Sequence, residues 1–215
     1  MQQSIIKSFK DLFSGMVLVF VAKVTLMSLL LSLVVVWLIG DSLNSMLTSY
    51  LSFIPWEWLA NSGVAIAKIL IAYSVFLAIN AILTSVMMEP LIIKLASKHY
   101  PNLKVAGSPD IKKSVWLSIK SALIFFGLFL VSFPLTFIPF LGAIWMLWLW
   151  SILIKNPTIY DINSLFKLQN EKSLVTSKQS TIIAMIASGF NYIPVLNILS
   201  PIFAQIIFLH YIAKR

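Results

Sequence analysis

The chain has 215 residues, 60% of them hydrophobic and only 11% charged, with a mean hydropathy of +0.95. An ordinary soluble domain carries about 25% charged residues, and so short a chain cannot hide this much apolar surface inside itself, which excludes a soluble globular protein. The net charge of +9 is spread as single lysines beside apolar runs, with Lys112 and Lys113 the only adjacent pair of lysines. No nucleic-acid partner is expected from that pattern; the lipid bilayer is the partner that fits it. Cysteine is absent, so neither a disulfide framework nor a thiolate metal site exists, and no metal or cofactor is expected.

In chain order, the amino terminus carries Lys7 and Lys10 but no small-residue cleavage site ahead of its apolar run, so the first apolar segment is expected to stay in the membrane. Met16 to Ile39, interrupted only by Lys23, is long enough to cross a hydrocarbon core of about 30 Å. Asp41 to Gly63 contains no lysine or arginine, and its Pro55, Trp56 and Trp58 suit an interfacial turn on the outer side. Ile69 to Met88, between Lys68 and Glu89-Pro90, is a second crossing of about 20 residues. Residues 89–120 carry Lys94, Lys98, Lys104, Lys112, Lys113 and Lys120 against two acids. By the positive-inside rule they are cytoplasmic, and so is the amino terminus.

Two longer apolar runs follow, residues 121–154 and 179–213, each broken near its middle: Phe133 to Gly142 reads FPLTFIPFLG and Asn191 to Pro201 reads NYIPVLNILSP. Proline removes a helical donor and clashes with the preceding turn, so each run divides into arms of about 12 to 15 residues. Such an arm reaches about 18 to 22 Å, short of a crossing. Lys155, Lys167, Lys172 and Lys178 lie between the two runs and Lys214-Arg215 ends the chain, so both hairpins start and finish on the lysine-rich side. The expected fold is an all-α integral membrane protein, a single membrane domain over 1–215, with two long transmembrane helices (16–39 and 69–88) and two proline-broken, re-entrant helical hairpins (121–154 and 179–213). Basic cytoplasmic segments cover 89–120 and 155–178. Four thin, tilted crossings are the alternative geometry. The breaks also resemble each other, Phe137-Ile138-Pro139-Phe140-Leu141-Gly142 against Tyr192-Ile193-Pro194-Val195-Leu196-Asn197, as an internal repeat or convergent turn chemistry would produce.

With this segment order, the chain resembles the CysZ sulfate permease family, also called the etoposide-induced-protein domain family. The likeness runs from Phe13-Ser14-Gly15 to the end of the chain. It is most specific at the Phe137 to Gly142 turn and at Ile193-Pro194-Val195-Leu196-Asn197-Ile198-Leu199-Ser200-Pro201, and looser at Glu89-Pro90 and Tyr160-Asp161. The resemblance implies two long helices, two hemi-penetrating hairpins, a homo-oligomer in the bacterial inner membrane with both termini cytoplasmic, and an inorganic anion, sulfate, as the substrate taken up. In the permeases the glycine near the start of the first membrane helix is followed by a hydrophobic residue and anion-binding arginines. Here Gly15 is followed by Met16, Val17 and Leu18, and the fixed fork of guanidinium donors is missing.

The anion-binding candidates are therefore Ser14 and Gly15, where the likeness begins; Lys23, an ammonium within the first span; and the polar and helix-starting positions of the breaks, Pro139, Gly142, Asn191, Asn197 and Ser200. Each has a structural alternative. Lys23 can snorkel to the headgroups, and asparagine and serine cap broken helices without binding anything. His210 reads as an interfacial residue beside Lys214 and Arg215, and Trp145, Trp148 and Trp150 as lipid-facing or interfacial packing. The seven acids are scattered and form none of the familiar catalytic motifs, so no enzyme is expected. A non-transporting protein that organises lipid or partner proteins is the second functional reading.

Overall fold

The computed structural model describes residues 2–53, 55–167 and 171–214. Arg215, the last basic residue, and residues 168–170 of the second basic segment lie outside them. All the secondary structure described is helical, and the chain forms two compact units, Val19–Met87 and Met1–Leu18 with Met88–Arg215.

The first unit is built from α2 (Gly15–Leu51) from Val19 onward and α3 (Glu57–His99) as far as Met87, helices of 37 and 43 residues. Each is longer than its apolar run, because the end of the lipid-compatible stretch is not a helix terminator. No proline follows Gly40 until Pro55, and the Ser45 and Ser49 hydroxyls bond back to the carbonyls of Asp41 and Ser45. The turn expected over 41–63 is therefore only the short connection between Leu51 and Glu57. Glu89-Pro90 does not end the second span either: α3 continues through Pro90 to His99, forfeiting one backbone donor. The face that α2 and α3 bury is polar as well as small, with Ser28, Ser32, Asn80 and Thr84 shielded and Asn80 Nδ2 donating to Ser28 Oγ at 3.3 Å. Leu26, Leu30, Leu33, Trp37, Leu38, Ile69 and Ile82 are exposed. Leucine outside and serine inside is the arrangement of helices solvated by lipid, where interhelical polar contacts each contribute about 0.6 kcal/mol.

The second unit holds α1 (Gln2–Leu12), the end of α3 from Met88, α4 (Ile111–Ser132), α5 (Leu141–Phe166), α6 (Glu171–Thr176), α7 (Lys178–Ser188) and α8 (Leu199–Ile212). Asp110 caps α4, its side chain accepting from the Lys112 amide at 2.8 Å. The first arm thus begins well before residue 121. α4 and the 3-10 turn after it form a stretch of 27 residues, long and apolar enough to cross a membrane, as are α2 and α3. The arm is longer than its apolar part because Asp110 starts the helix among the lysines. Pro134 sits in that 3-10 turn, Phe133–Phe137, and α5 returns against α4, tied by Trp145 Nε1 donating to Ser132 Oγ at 2.8 Å. In the second hairpin α7 stops at Ser188, 3-10 turns cover Gly189–Tyr192 and Leu196–Ile198, and Pro201 falls in the first turn of α8, where its missing donor is tolerated.

α8 is the core of this unit. All of it except Pro201 and Gln205 is buried, packed by α1, α5 and α7, as expected of a helix that is apolar all round. α1 meets it through an unusual face: Ser4, Ser8, Asp11 and Leu12 are buried while Ile6 and Phe13 are exposed. The two serines allow close approach, and the Phe9 ring lies 4.7 Å from that of Phe203.

Candidate functional site

The two breaks share one backbone solution. Ile138 and Ile193 are extended, a proline follows, and the next residues, Phe140 (φ 61°, ψ −50°) and Val195 (φ 72°, ψ −44°), occupy the same positive-φ region. With the Leu141 amide bonded to the Pro139 carbonyl at 2.7 Å, the first is the rare, strained form of γ-turn. Neither residue is glycine and Val195 is β-branched, so the surrounding contacts must hold the conformation in place. Gly142 is required by packing: a Cβ there would stand 2.8 Å from the Leu135 carbonyl oxygen and closer still to that of Thr136.

The turns also lie side by side. The Tyr192 hydroxyl donates to the Ala143 carbonyl, and its ring sits edge-on to Trp150 with centroids 4.9 Å apart. This brings the Pro139–Gly142 turn next to the turn that holds Asn191. Several polar groups there are engaged within the hairpins: the Gly142 amide donates to the Ile138 carbonyl, the Asn197 amide to that of Ile193, and the buried Ser200 hydroxyl to that of Ala187 at 3.1 Å. Trp145, Trp148 and Trp150 are half-buried, with the first two rings 4.8 Å apart.

Ser14 and Gly15 form the turn from α1 to α2. The Ser14 amide and hydroxyl both donate to the Asp11 carbonyl, at 2.9 and 2.6 Å, and Gly15 has open space around it. Lys23 is eight positions further along α2, exposed, and belongs to the other unit.

A group that the sequence reading missed is built where α1, α3 and α8 end. Asp11, from the buried face of α1, receives two imidazoles through the same ring nitrogen: His99 Nε2 stands 2.9 Å from Oδ1 and 2.8 Å from Oδ2, and His210 Nε2 stands 2.7 Å from Oδ2. His210 is fully buried, and the Tyr100 hydroxyl lies 3.0 Å from its Nδ1. With the imidazole neutral, Nε2–H donates to the carboxylate and Nδ1 accepts from the tyrosine, which satisfies every polar atom of the pair. Lys98 Nζ is 3.7 Å from Asp11 Oδ1, and its side chain is 53% exposed. Burial pushes the Asp11 carboxyl up, but the hydrogen bonds from His99 and His210, and the positive charge of either ring when protonated, outweigh it and hold the group below the ordinary aspartate value. Burial and the charge of Asp11 push the Tyr100 hydroxyl up.

His210, read from the sequence as interfacial, is shielded by protein and bonded to Asp11. The polar end of α8 is covered by α1, and the partner of His210 lies at position 11. A signal was present: an ionisable residue inside the run Ile206 to Ile212 is costly in apolar surroundings without a partner.

Over residues 4–201 the chain matches the family described as Sulfate transporter CysZ/Etoposide-induced protein 2.4. The chain belongs to this family. No curated protein and no solved structure matches it. The match to the CysZ family ends within the first turn of α8, so it contains both hairpin breaks together with Asp11 and His99, while His210 lies beyond it. Family membership and the three long apolar helices make this a membrane protein in contact with lipid, and the family's description is of a transporter, not an enzyme.

Proposed function

We propose that the chain is a small oligomeric transporter or channel that carries sulfate or a related oxyanion inward across the bacterial inner membrane. The family match over residues 4–201 carries this reading. In the proposed topology α2 and α3 span, the termini and lysine-rich segments are cytoplasmic, and the hairpins are re-entrant. Charge supports the last point, since both hairpins begin and end among lysines. So do the tips, where Phe137, Phe140 and Val195 are exposed and suit hydrocarbon better than water. The proposed anion contacts are the Ser14-Gly15 turn, Lys23 in place of the absent arginines, and the adjoining hairpin turns with Pro139, Gly142, Asn191, Asn197 and Ser200.

Uptake of radiolabelled sulfate into proteoliposomes tests the proposal. Uptake above protein-free liposomes, lowered by Lys23→Ala, is the expected result; none, from protein that elutes as a uniform oligomer, overturns it. That negative result is the outcome expected of the second reading, a membrane-organising protein, which Val17 and Leu18 favour by following Gly15-Met16 where the resemblance implies arginines.

A further inference from the structure

We propose that Asp11, His99 and His210 form a binding site for a divalent transition metal ion, with zinc the ion best matched to the donors. The three residues come from helices far apart in sequence, yet their ligand atoms all lie within 4.8 Å of one another. Two imidazole nitrogens and one carboxylate oxygen are a donor set that zinc accepts, whereas calcium and magnesium prefer oxygen alone. A tetrahedral centre with bonds of about 2.0 to 2.2 Å needs ligand atoms about 3.3 Å apart. The nitrogen–oxygen separations of 2.7 to 2.9 Å therefore have to open by about half an ångström, the two imidazole nitrogens, within 4.8 Å of each other, have to settle at the same distance, and the ion takes the place of the protons that now bridge the groups.

The surroundings fit an ion as well. When Nε2 binds metal the imidazole proton moves to Nδ1, and Tyr100, at 3.0 Å from that atom of His210, becomes its acceptor. Such outer partners fix the tautomer and orientation of ligating histidines. His210 and Asp11 are almost wholly shielded, but the His99 side chain is 20% exposed, which gives the ion a way in and leaves a fourth position for water. The positive charge nearest the carboxylate, Lys98, has a side chain exposed enough to turn into solvent. The site clamps both ends of the chain to the end of α3. It is independent of the transport reading, and its test does not use transport.

The experiment uses full-length, tag-free protein in detergent, stripped with chelator and titrated with Zn²⁺ or Co²⁺. The expected result is one equivalent of ion retained per chain, Co²⁺ bands in the visible range characteristic of four- or five-coordination, and a rise in melting temperature with Zn²⁺. Affinity falls at least 100-fold in Asp11→Asn and in His99→Gln, and about 10-fold or more in Tyr100→Phe, which removes only an outer partner. Because His210 is buried and its variant can lose the fold, His99→Gln, at the exposed edge, is the decisive variant. Retention of the ion equal in His99→Gln and wild type, or Co²⁺ that keeps the spectrum of the hydrated ion, overturns the proposal and leaves the cluster a hydrogen-bonded clamp.

Discussion

Asp161 shows how much a single side chain does to orient the basic segment. Its carboxylate accepts from Ser114 Oγ on α4 at 2.8 Å and from Gln205 Nε2 on α8 at 3.4 Å, while the neighbouring Tyr160 hydroxyl accepts the Asp110 amide and its ring lies under Lys113. Burial raises the Asp161 carboxyl above the ordinary aspartate value, the Glu89 charge adds to that, and the two hydrogen bonds offset only part of it. An acid that holds its proton more tightly when folded favours folding most at pH below its unfolded value of about 3.9, and loses that contribution as pH rises through the raised folded value. Melting temperatures in detergent should therefore fall for wild type relative to Asp161→Asn as pH rises from about 4, and the difference should level off once the carboxyl is ionised. Parallel curves would mean that Asp161 titrates normally. Neither Asp161 nor Asp11 was legible as a buried group, because pairings between positions 114 and 161, or 11 and 210, leave no periodic trace. His210 carried a signal in its apolar neighbours, Ile206 to Ile212, yet the nearby Lys214 and Arg215 made it read as interfacial.

At the level of elements, prolines were legible where the chain reverses and misleading where it does not. Pro139 and Pro194 each precede a positive-φ residue in a tight turn, but Pro90 and Pro157 lie inside continuous helices. The difference is one of company: at both breaks a 3-10 turn and an extended isoleucine come just before the proline, so the helix is already unwinding, whereas a lone proline costs one donor and the helix resumes. Helix ends were poorly legible, since Asp110 and the uninterrupted stretch after Gly40 extend α4 and α2 beyond their apolar runs. The first hairpin depends on a close approach that only glycine permits. Gly142→Ala should lower stability by about 1 to 3 kcal/mol, because the new Cβ meets the Leu135 and Thr136 carbonyls, which are backbone atoms with little room to retreat. Gly127→Ala, in α4 with nothing within 4 Å, should be neutral or stabilising by up to about 1 kcal/mol. Thermal unfolding of the two variants in parallel separates a packing requirement from mere helix propensity, and equal melting temperatures would remove Gly142 as the constraint on the turn.

For the whole molecule the open contest is between lysine placement and helix length. Lysines flanking both hairpins favour return to the cytoplasmic side, while the 27 residues from Ile111 to Phe137 are long enough to reach the outer surface. The apolar part after Lys120 is short: Ser121 to Ser132 spans about 18 Å as a helix and the 3-10 turn Phe133–Phe137 adds about 10 Å, so a crossing of a core of about 30 Å would leave Lys120 at its edge. Tilting of a crossing arm would then draw Lys120 into the hydrocarbon, toward the cost of about 2.5 to 3.5 kcal/mol for a lysine carried to the centre. The returning arm is shorter in its apolar part, Leu141 to Ile154, about 21 Å as a helix, a mismatch of about 9 Å that bilayer thinning would meet at fractions of a kcal/mol per ångström and that a re-entrant hairpin avoids. The chain contains no cysteine, so single replacements report without background. With an impermeant thiol reagent added from outside, Ser52→Cys in the turn between α2 and α3 should label readily. Lys104→Cys should label only after permeabilisation, and Pro139→Cys and Pro194→Cys should resist labelling before it and label slowly after it, as positions at the tips of hairpins held within the bilayer. Outside labelling of either proline position at the rate of Ser52→Cys would establish crossing arms and overturn the re-entrant topology.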